Sequence, residues 1–351
     1  IAKHMILRRY LGAWFPILGT HNNRIVYIDG FCGPGQYAGG EPGSPIIALE
    51  EAMKHAERLR RTRITLLLAD DRADRTSHLA GVTEQYTVPP NISIAIATGE
   101  FEAHLRTLLD SLDAEGQCLA PTFAFIDPFG FKGLPFELVQ RLLCNPKTEV
   151  FVNVMADSIN RFLEHPKDEI TRHIVGLFGT DEVRQVAKAS NRSGDRVEKL
   201  RALYQRQLER HARFVRYFEM RDCDNRVIYY LFFASNHRQG HRKMKEAFWK
   251  VDRSSGFRFS DATDPSQLVL FEIDGTSKLA DDISAFFAGQ EVCAETVIEH
   301  VEDTTAFTAA HARRALTRLE ENKRISVADT KSDGTKRRRN TYPPNAWVQF
   351  V

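Results

Sequence analysis

The chain has 351 residues, of which 42% are hydrophobic and 27% charged, and its net charge is only +2. That length exceeds one typical domain and the composition supplies a full core, so two domains are expected. No apolar run approaches the ~18 residues of a membrane span. Five scattered cysteines without a C-x-x-C pair argue against a disulfide framework or zinc site and for a reducing, cytoplasmic setting.

Residues 3–15 place Ile6, Leu7, Tyr10, Leu11 and Trp14 on one helical face. "RIVYIDG" (24–30) reads as a buried strand running into the glycine-rich "FCGPGQYAGGEPG". A helix follows, with Ser44 as N-cap and Pro45 at its first position. Further strands are expected at 63–71, 92–99, in "PTFAFIDP" and at 148–155, separated by helical segments. This alternation predicts a doubly wound α/β sheet, mostly parallel. A long helical section (157–212) precedes an antiparallel hairpin, 213–222 with 226–235, turning at Cys223-Asp224-Asn225. Five parallel-type strands and a terminal hairpin are the inventory of a Rossmann-like class I methyltransferase sheet. The expected organisation is this domain over 1–251, a linker over 252–277, and a winged helix-turn-helix over 278–351, read from three short helices followed by strand, basic loop and strand.

The loop after the first strand carries Gly33-Pro34-Gly35, where missing side chains let a ligand approach the backbone. A dinucleotide fingerprint would need a helix opening at the third small residue, but Ala38 is followed by Gly-Gly-Glu-Pro-Gly. A P-loop is excluded because no Gly-Lys-Ser/Thr occurs. Asp70 and Asp71 end the second strand, where a carboxylate can accept ribose hydroxyls. At the end of the third strand, Glu100 can accept an adenine amine while Phe101 packs on the ring; helix capping is the rival role for Glu100. With Asp29, Gly30, Phe31, Gly33 and Gly35, these residues form the expected S-adenosylmethionine site. Cys32 has no partnered His or Asn and reads as a packing residue.

Asp127-Pro128-Phe129-Gly130 ends the fourth strand. An aromatic amine is a poor nucleophile because its lone pair is delocalised into the ring. The Asp127 carboxylate and Pro128 carbonyl can each accept one N–H and localise that lone pair, while Phe129 stacks on a flipped base. Alone, the tetrapeptide is a strand-ending turn. After a glycine loop and two acidic strand ends it becomes the substrate end of a cleft, and Asn153 closes the fifth strand beside it. Lys3 and His4 have two readings, facing the site or lying on a solvated helix face, and the solvated face is favoured for both. In the tail, residues 311–340 carry ten basic side chains against four acids, including Arg313, Arg314, Arg318, Lys336, Arg337, Arg338 and Arg339. Residues 278–310 carry one Lys against seven acids. The basic helix and wing suit nucleic-acid phosphates; docking of a protein partner is the rival use.

"KHMILRRYLGAWFPIL", "YIDGFCGPGQY", "FIDPFGFKG" and "YYLFFASNHRQGHRKMKEAFW" resemble the three-Cys-motif partner proteins over most of residues 1–251. The resemblance implies a methyltransferase-like domain with a winged-helix tail, and a radical-SAM-like iron–sulfur partner bearing three cysteines. Asp-Pro-Phe-Gly is also similar to the motif of tRNA guanine-N2 dimethyltransferases, which leans toward an exocyclic amine of a nucleic-acid base in DNA or RNA. The expected function is methyl transfer to such an amine. The alternative is a non-catalytic subunit that binds nucleic acid and presents it to the iron–sulfur partner.

Overall fold

The computed structural model describes residues 2–130, 134–188, 193–253, 255–260, 275–328 and 334–351. The chain divides into two compact units, Ile1–Ala247 with Arg258–Asp264, and Phe248–Phe257 with Pro265–Val351.

In the first unit, helix α1 (Ala2–His21) precedes β1 (Arg24–Asp29), α2 (Ser44–Lys54), β2 (Arg63–Asp70), α3 (Ala73–Thr83) and β3 (Ile92–Thr98). Then come α4 (Phe101–Ala114), β4 (Thr122–Ile126), α5 (Phe136–Leu143) and β5 (Thr148–Val154). The long helical section resolves into α6 (Ala156–Phe162), α7 (Asp168–Phe178), α8 (Glu182–Lys188) and α9 (Ser193–Glu209). The hairpin is β6 (Phe214–Arg221) and β7 (Val227–Ser235), followed by α10 (Arg238–Val251), whose last turn, from Phe248, belongs to the second unit. Asn225 takes a positive φ of 63° at the hairpin turn, a conformation that Asn tolerates.

With β8 (Arg258–Ser260), the strand order is β3-β2-β1-β4-β5-β7-β6-β8. Strands β1 to β5 pair in parallel, while β7 runs antiparallel to β5 and β6. This is the class I methyltransferase order with one strand added. The addition, β8 (Arg258–Ser260), pairs in parallel with β6 inside the stretch expected to be linker. Most of that stretch, 261–274, lies outside the described residues.

The sheet is held by apolar layers on both faces. Phe123 and Phe125 of β4 point to the side where α1 lies, and Tyr10 and Trp14 pack on Phe123 with ring centroids 5.0 and 6.0 Å away. Ala124 and Ile126, one residue out of phase, join the opposite core with Leu138, Leu142, Val150 and Val152. Strand β4 is therefore buried along its whole length, as its unbroken apolar run requires. Helix α2 starts one residue earlier than expected: Gly43 is the N-cap and Ser44 is already helical.

The second unit contains α11 (Thr276–Phe286), β9 (Glu291–Cys293), α12 (Ala294–Thr304), α13 (Ala309–Glu321), β10 (Ile325–Val327) and β11 (Trp347–Phe350). The three helices and two later strands match the expected winged helix. Strand β9 was not foreseen, and it completes a sheet of order β10-β11-β9. Leu279, Ile283, Val297, Leu316, Val348 and Phe350 form the core of this unit.

Candidate functional site

The C-terminal ends of β1, β2, β4 and β5 gather the residues singled out in the sequence. The glycine loop after β1 is held by two buried carboxylates. Asp29 is fully buried and accepts hydrogen bonds from Phe31 N at 3.2 Å and Tyr27 Oη at 3.2 Å, and from the Ser44 hydroxyl. Burial raises its pKa to about 7 against the lowering effect of these bonds. Asp70 accepts from Gly33 N at 3.0 Å and Arg72 N at 3.1 Å, with Arg75 at 3.5 Å. Both acids were expected to touch ligand. Asp29 bonds Phe31 N, and Asp70 bonds Gly33 N and Arg72 N, so both also shape the loop. Asp71 is the exposed acid at the end of β2.

Gly33 and Gly35 have φ of 64° and 86°, the left-handed region that favours glycine. A Cβ on Gly33 would meet no atom within 4 Å, so its backbone borders open space. Gly30 has a different role: a Cβ there would lie 2.2 Å from the ring of Phe101. Phe101 is buried on that glycine and edge-on to Phe31, with centroids 5.8 Å apart, so its ring belongs to the core. Glu100 is the N-cap residue of α4, yet its side chain makes no cap bond and is exposed. Cys32 is buried, and burial raises its thiol pKa, in agreement with a packing role.

Asp127 follows β4 and is the best-connected polar group of the site. Its Oδ1 accepts from Asn153 Nδ2 at 2.8 Å, and its Oδ2 pairs with the ammonium of Lys3. Asn153 is only 4% exposed, and its Oδ1 has no hydrogen-bond partner among the described residues. An acceptor left unpaired in this way costs about 1–3 kcal/mol unless a ligand or water satisfies it. Pro128 is buried, while Phe129 is 74% exposed, with the Arg75 guanidinium 5.9 Å from its ring centroid. Gly130 has φ 73° and lets the chain turn away; residues 131–133 lie outside the described residues.

The first turn of α1 also reaches this point, contrary to its reading as a solvated face. Lys3 lies 5.8 Å from the centroid of Tyr229, and His4 packs against Tyr37 at 5.6 Å. Burial, reinforced by the Lys3 charge, lowers the His4 pKa to about 4, so its imidazole is neutral at neutral pH. The half-exposed Tyr37 and exposed Phe129 thus supply flat apolar surface near a floor of Asp127, Asn153 and Lys3. Tyr37 and Tyr229 lie within the quoted motifs, but sequence reasoning gave neither a role at the site.

In the second unit, Arg313, Arg314 and Arg318 lie on the exposed face of α13, and Lys336, Arg338 and Arg339 are exposed in the wing. Arg313, Lys336, Arg338 and Asn340 line a groove of about 840 Å³. Arg337 departs from expectation. Its side chain is 4% exposed and bonds Glu320 at 2.5 Å and the Thr341 carbonyl at 3.2 Å, so it fastens the wing to α13. Burial opposes ionisation of Glu320, but bonds from Arg337 and Tyr342 prevail and lower its pKa.

Residues 258–332 match the family model described as a GMT-like wHTH domain. No curated protein matches the chain. Solved structures similar to it include protein LPL1258 from Legionella pneumophila str. Philadelphia 1, at 12% identity and TM-score 0.38, covering 67% of this chain and 84% of that one. A human methyltransferase 10 domain containing protein is similar at 14% identity and TM-score 0.29, covering 66% and 82%. The delta-N METTL16 MTase domain is similar at 14% identity and TM-score 0.30, over the same shares. With scores this low, the fold assignment rests on the strand order itself. The chain thus combines a methyltransferase-like sheet with a winged helix-turn-helix, and among the described residues no helix is long and apolar enough to cross a membrane.

Proposed function

We propose that the protein is an S-adenosylmethionine-dependent methyltransferase acting on an exocyclic amine of a nucleic-acid base. The observation that carries this reading is Asp127 at the end of β4, beside Asn153, whose Oδ1 has no partner among the described residues, and followed by the exposed ring of Phe129. The open backbone at Gly33 and the exposed Asp71 and Glu100 fit an adenosine ligand: Asp71 would hold ribose hydroxyls and Glu100 the adenine amine. When bound, S-adenosylmethionine supplies a methyl group activated by its sulfonium.

The chain's own work is positioning. Asp127 and the Pro128 carbonyl accept the two N–H bonds of the amine, which turns its lone pair out of the ring. Phe129 stacks on the base, and Asn153 fixes the carboxylate. Lys3 pairs with Asp127 and orients it. On methyl transfer the N–C bond would form as the donor's S–C bond breaks to leave a neutral thioether, and the amine's surplus proton would pass to the neighbouring carboxylate or solvent. The basic helix and wing would recruit the nucleic acid. The resemblance to three-Cys-motif partner proteins supports a role beside a radical-SAM-like iron–sulfur protein.

The Lys3–Asp127 ion pair also favours a second reading, in which the cleft binds a base without methylating it and presents it to that partner. Calorimetry with S-adenosylmethionine and transfer of a labelled methyl to DNA or RNA separate the two. Asp127→Ala should keep cofactor affinity and lose about 100-fold or more of the transfer rate, while Lys3→Met should lower the rate less. Binding without transfer, alone or with the iron–sulfur protein, supports the second reading. Absence of cofactor binding overturns the first.

A further inference from the structure

The end of the sheet opposite the cleft carries an arginine cluster. Arg24 opens β1, Arg63 opens β2, and parallel pairing sets them side by side. Arg58, Arg60 and Arg61 precede Arg63 in the turn from α2, and all five are exposed. Neighbouring like charges on paired strands repel. Among the described residues only Arg60 of the five has an acidic partner, Glu57 at 3.4 Å, and both side chains are largely in solvent. Such a pair contributes about 0–1 kcal/mol. Arginines elsewhere on this unit are better matched, as with Arg141, which meets Asp110 at 2.8 Å and Asp113 at 2.6 Å.

The backbone beneath the cluster is firmly tied. Thr62 Oγ1 donates to the Gly19 and Asn22 carbonyls, at 2.7 and 3.0 Å. Asn91 Nδ2 lies within 3.4 Å of the carbonyls of Ala56, Leu59 and Thr62. Leu59 is buried against Gly19, where a Cβ would come within 2.6 Å of it. The buried residues of "LRRTRI" anchor the turn, and the arginines project from it. Arg60, Arg61 and Arg63 line a groove of about 550 Å³ with Pro89, Pro90 and Asn91. Lys147, which reaches Asn22 Oδ1 at 2.8 Å, adds charge at the same rim.

We propose that this rim is a second nucleic-acid contact, which binds phosphate backbone without reading bases. Guanidinium groups pair with phosphate oxygens in bidentate geometry, and several on one fixed rim can follow a polyanion. A bilayer fits less well, because surface helices that bind membranes add inserted apolar side chains. Among the described residues, none of the exposed large hydrophobics, Tyr37, Phe129, Phe286, Trp347 and Val351, belongs to the rim. Arg24 and Asp29 are five residue steps apart along β1, roughly 17 Å, or about five steps of a duplex. The contact holds whether or not the cleft transfers a methyl group.

The test is fluorescence anisotropy of the full-length protein with labelled single-stranded and duplex oligonucleotides, from about 50 to 300 mM salt. R24Q/R61Q/R63Q should weaken binding roughly ten-fold or more at low salt and reduce the slope of log K against log salt by about 2–3. The matching lysine variant should keep most of that slope. R313Q/R314Q/R338Q reports the tail separately, and Asp127→Asn reports the cleft. Unchanged affinity and slope in the rim variant overturn the proposal, even if the tail variant loses binding. So does a rim variant that keeps oligonucleotide affinity but loses binding to phosphatidylserine vesicles. A readout on the unaltered protein guards against misfolding of the variant: oligonucleotide should shield Arg61 and Arg63 from phenylglyoxal, and equal modification with and without it overturns the contact.

Discussion

Asp29 and Glu149 are buried carboxyls at opposite ends of the sheet, and both have pKa values raised to about 7 by burial. Glu149 accepts from Tyr10 Oη at 2.5 Å and Ser235 Oγ at 2.8 Å, tying α1 to β5 and β7. Its folded-state pKa lies above its unfolded value. Its contribution is therefore complete below the unfolded value and is lost as pH rises through about 7. Glu149→Gln keeps a neutral polar group there and removes this dependence. The variant should gain stability relative to wild type between about pH 4 and 8, by up to about 2–3 kcal/mol. Thermal unfolding across that range checks it, and parallel curves for the two proteins would contradict it. Sequence disclosed residue types at such positions but not the direction of their oxygens. Asp29 and Asp70 stood where ligand acids stand, and only the bonds from Phe31 N and Gly33 N show that they face the loop. Lys3 was read as solvated because its partner lies 124 residues away, beyond any local pattern.

At the scale of elements, the alternation of strands and helices was legible because buried parallel strands need unbroken apolar runs between turn residues. Of the three-residue strands, β10 was legible from its place between α13 and the basic loop, while β8 and β9 carry too little pattern of their own to stand out from a loop. The β1 loop and the start of α4 are coupled through one close approach, Gly30 under the Phe101 ring. Gly30→Ala should cost about 1–3 kcal/mol through overpacking, and weaken S-adenosylmethionine binding by displacing the loop. Adding Phe101→Leu should restore part of both losses, a coupling that a double-mutant cycle measures. Additive effects in that cycle would show that the two residues act separately.

Across the whole molecule, the tail's basic segment was legible as charge but not as a division of labour. In "KRRR" the four side chains look equivalent; burial and Glu320 separate Arg337 from its neighbours. Arg337→Gln should lower the melting temperature of the second unit. R338Q/R339Q should leave it unchanged and reduce the salt slope of nucleic-acid binding by about 2. Calorimetric unfolding and salt-dependent anisotropy read the two effects, and a melting shift in the double variant would overturn the division.

Strand β8 sets where the first unit ends. Arg258 reaches Glu219 of β6 at 2.8 Å, and the backbone from 258 to 260 pairs with 219 to 221. A fragment cut at the change in composition near 252 would leave β6 as a bare sheet margin, with unpaired amides and carbonyls open to other chains. A fragment extended past 260 carries its own cover, so a poorly soluble shorter fragment would reflect the cut and not the fold.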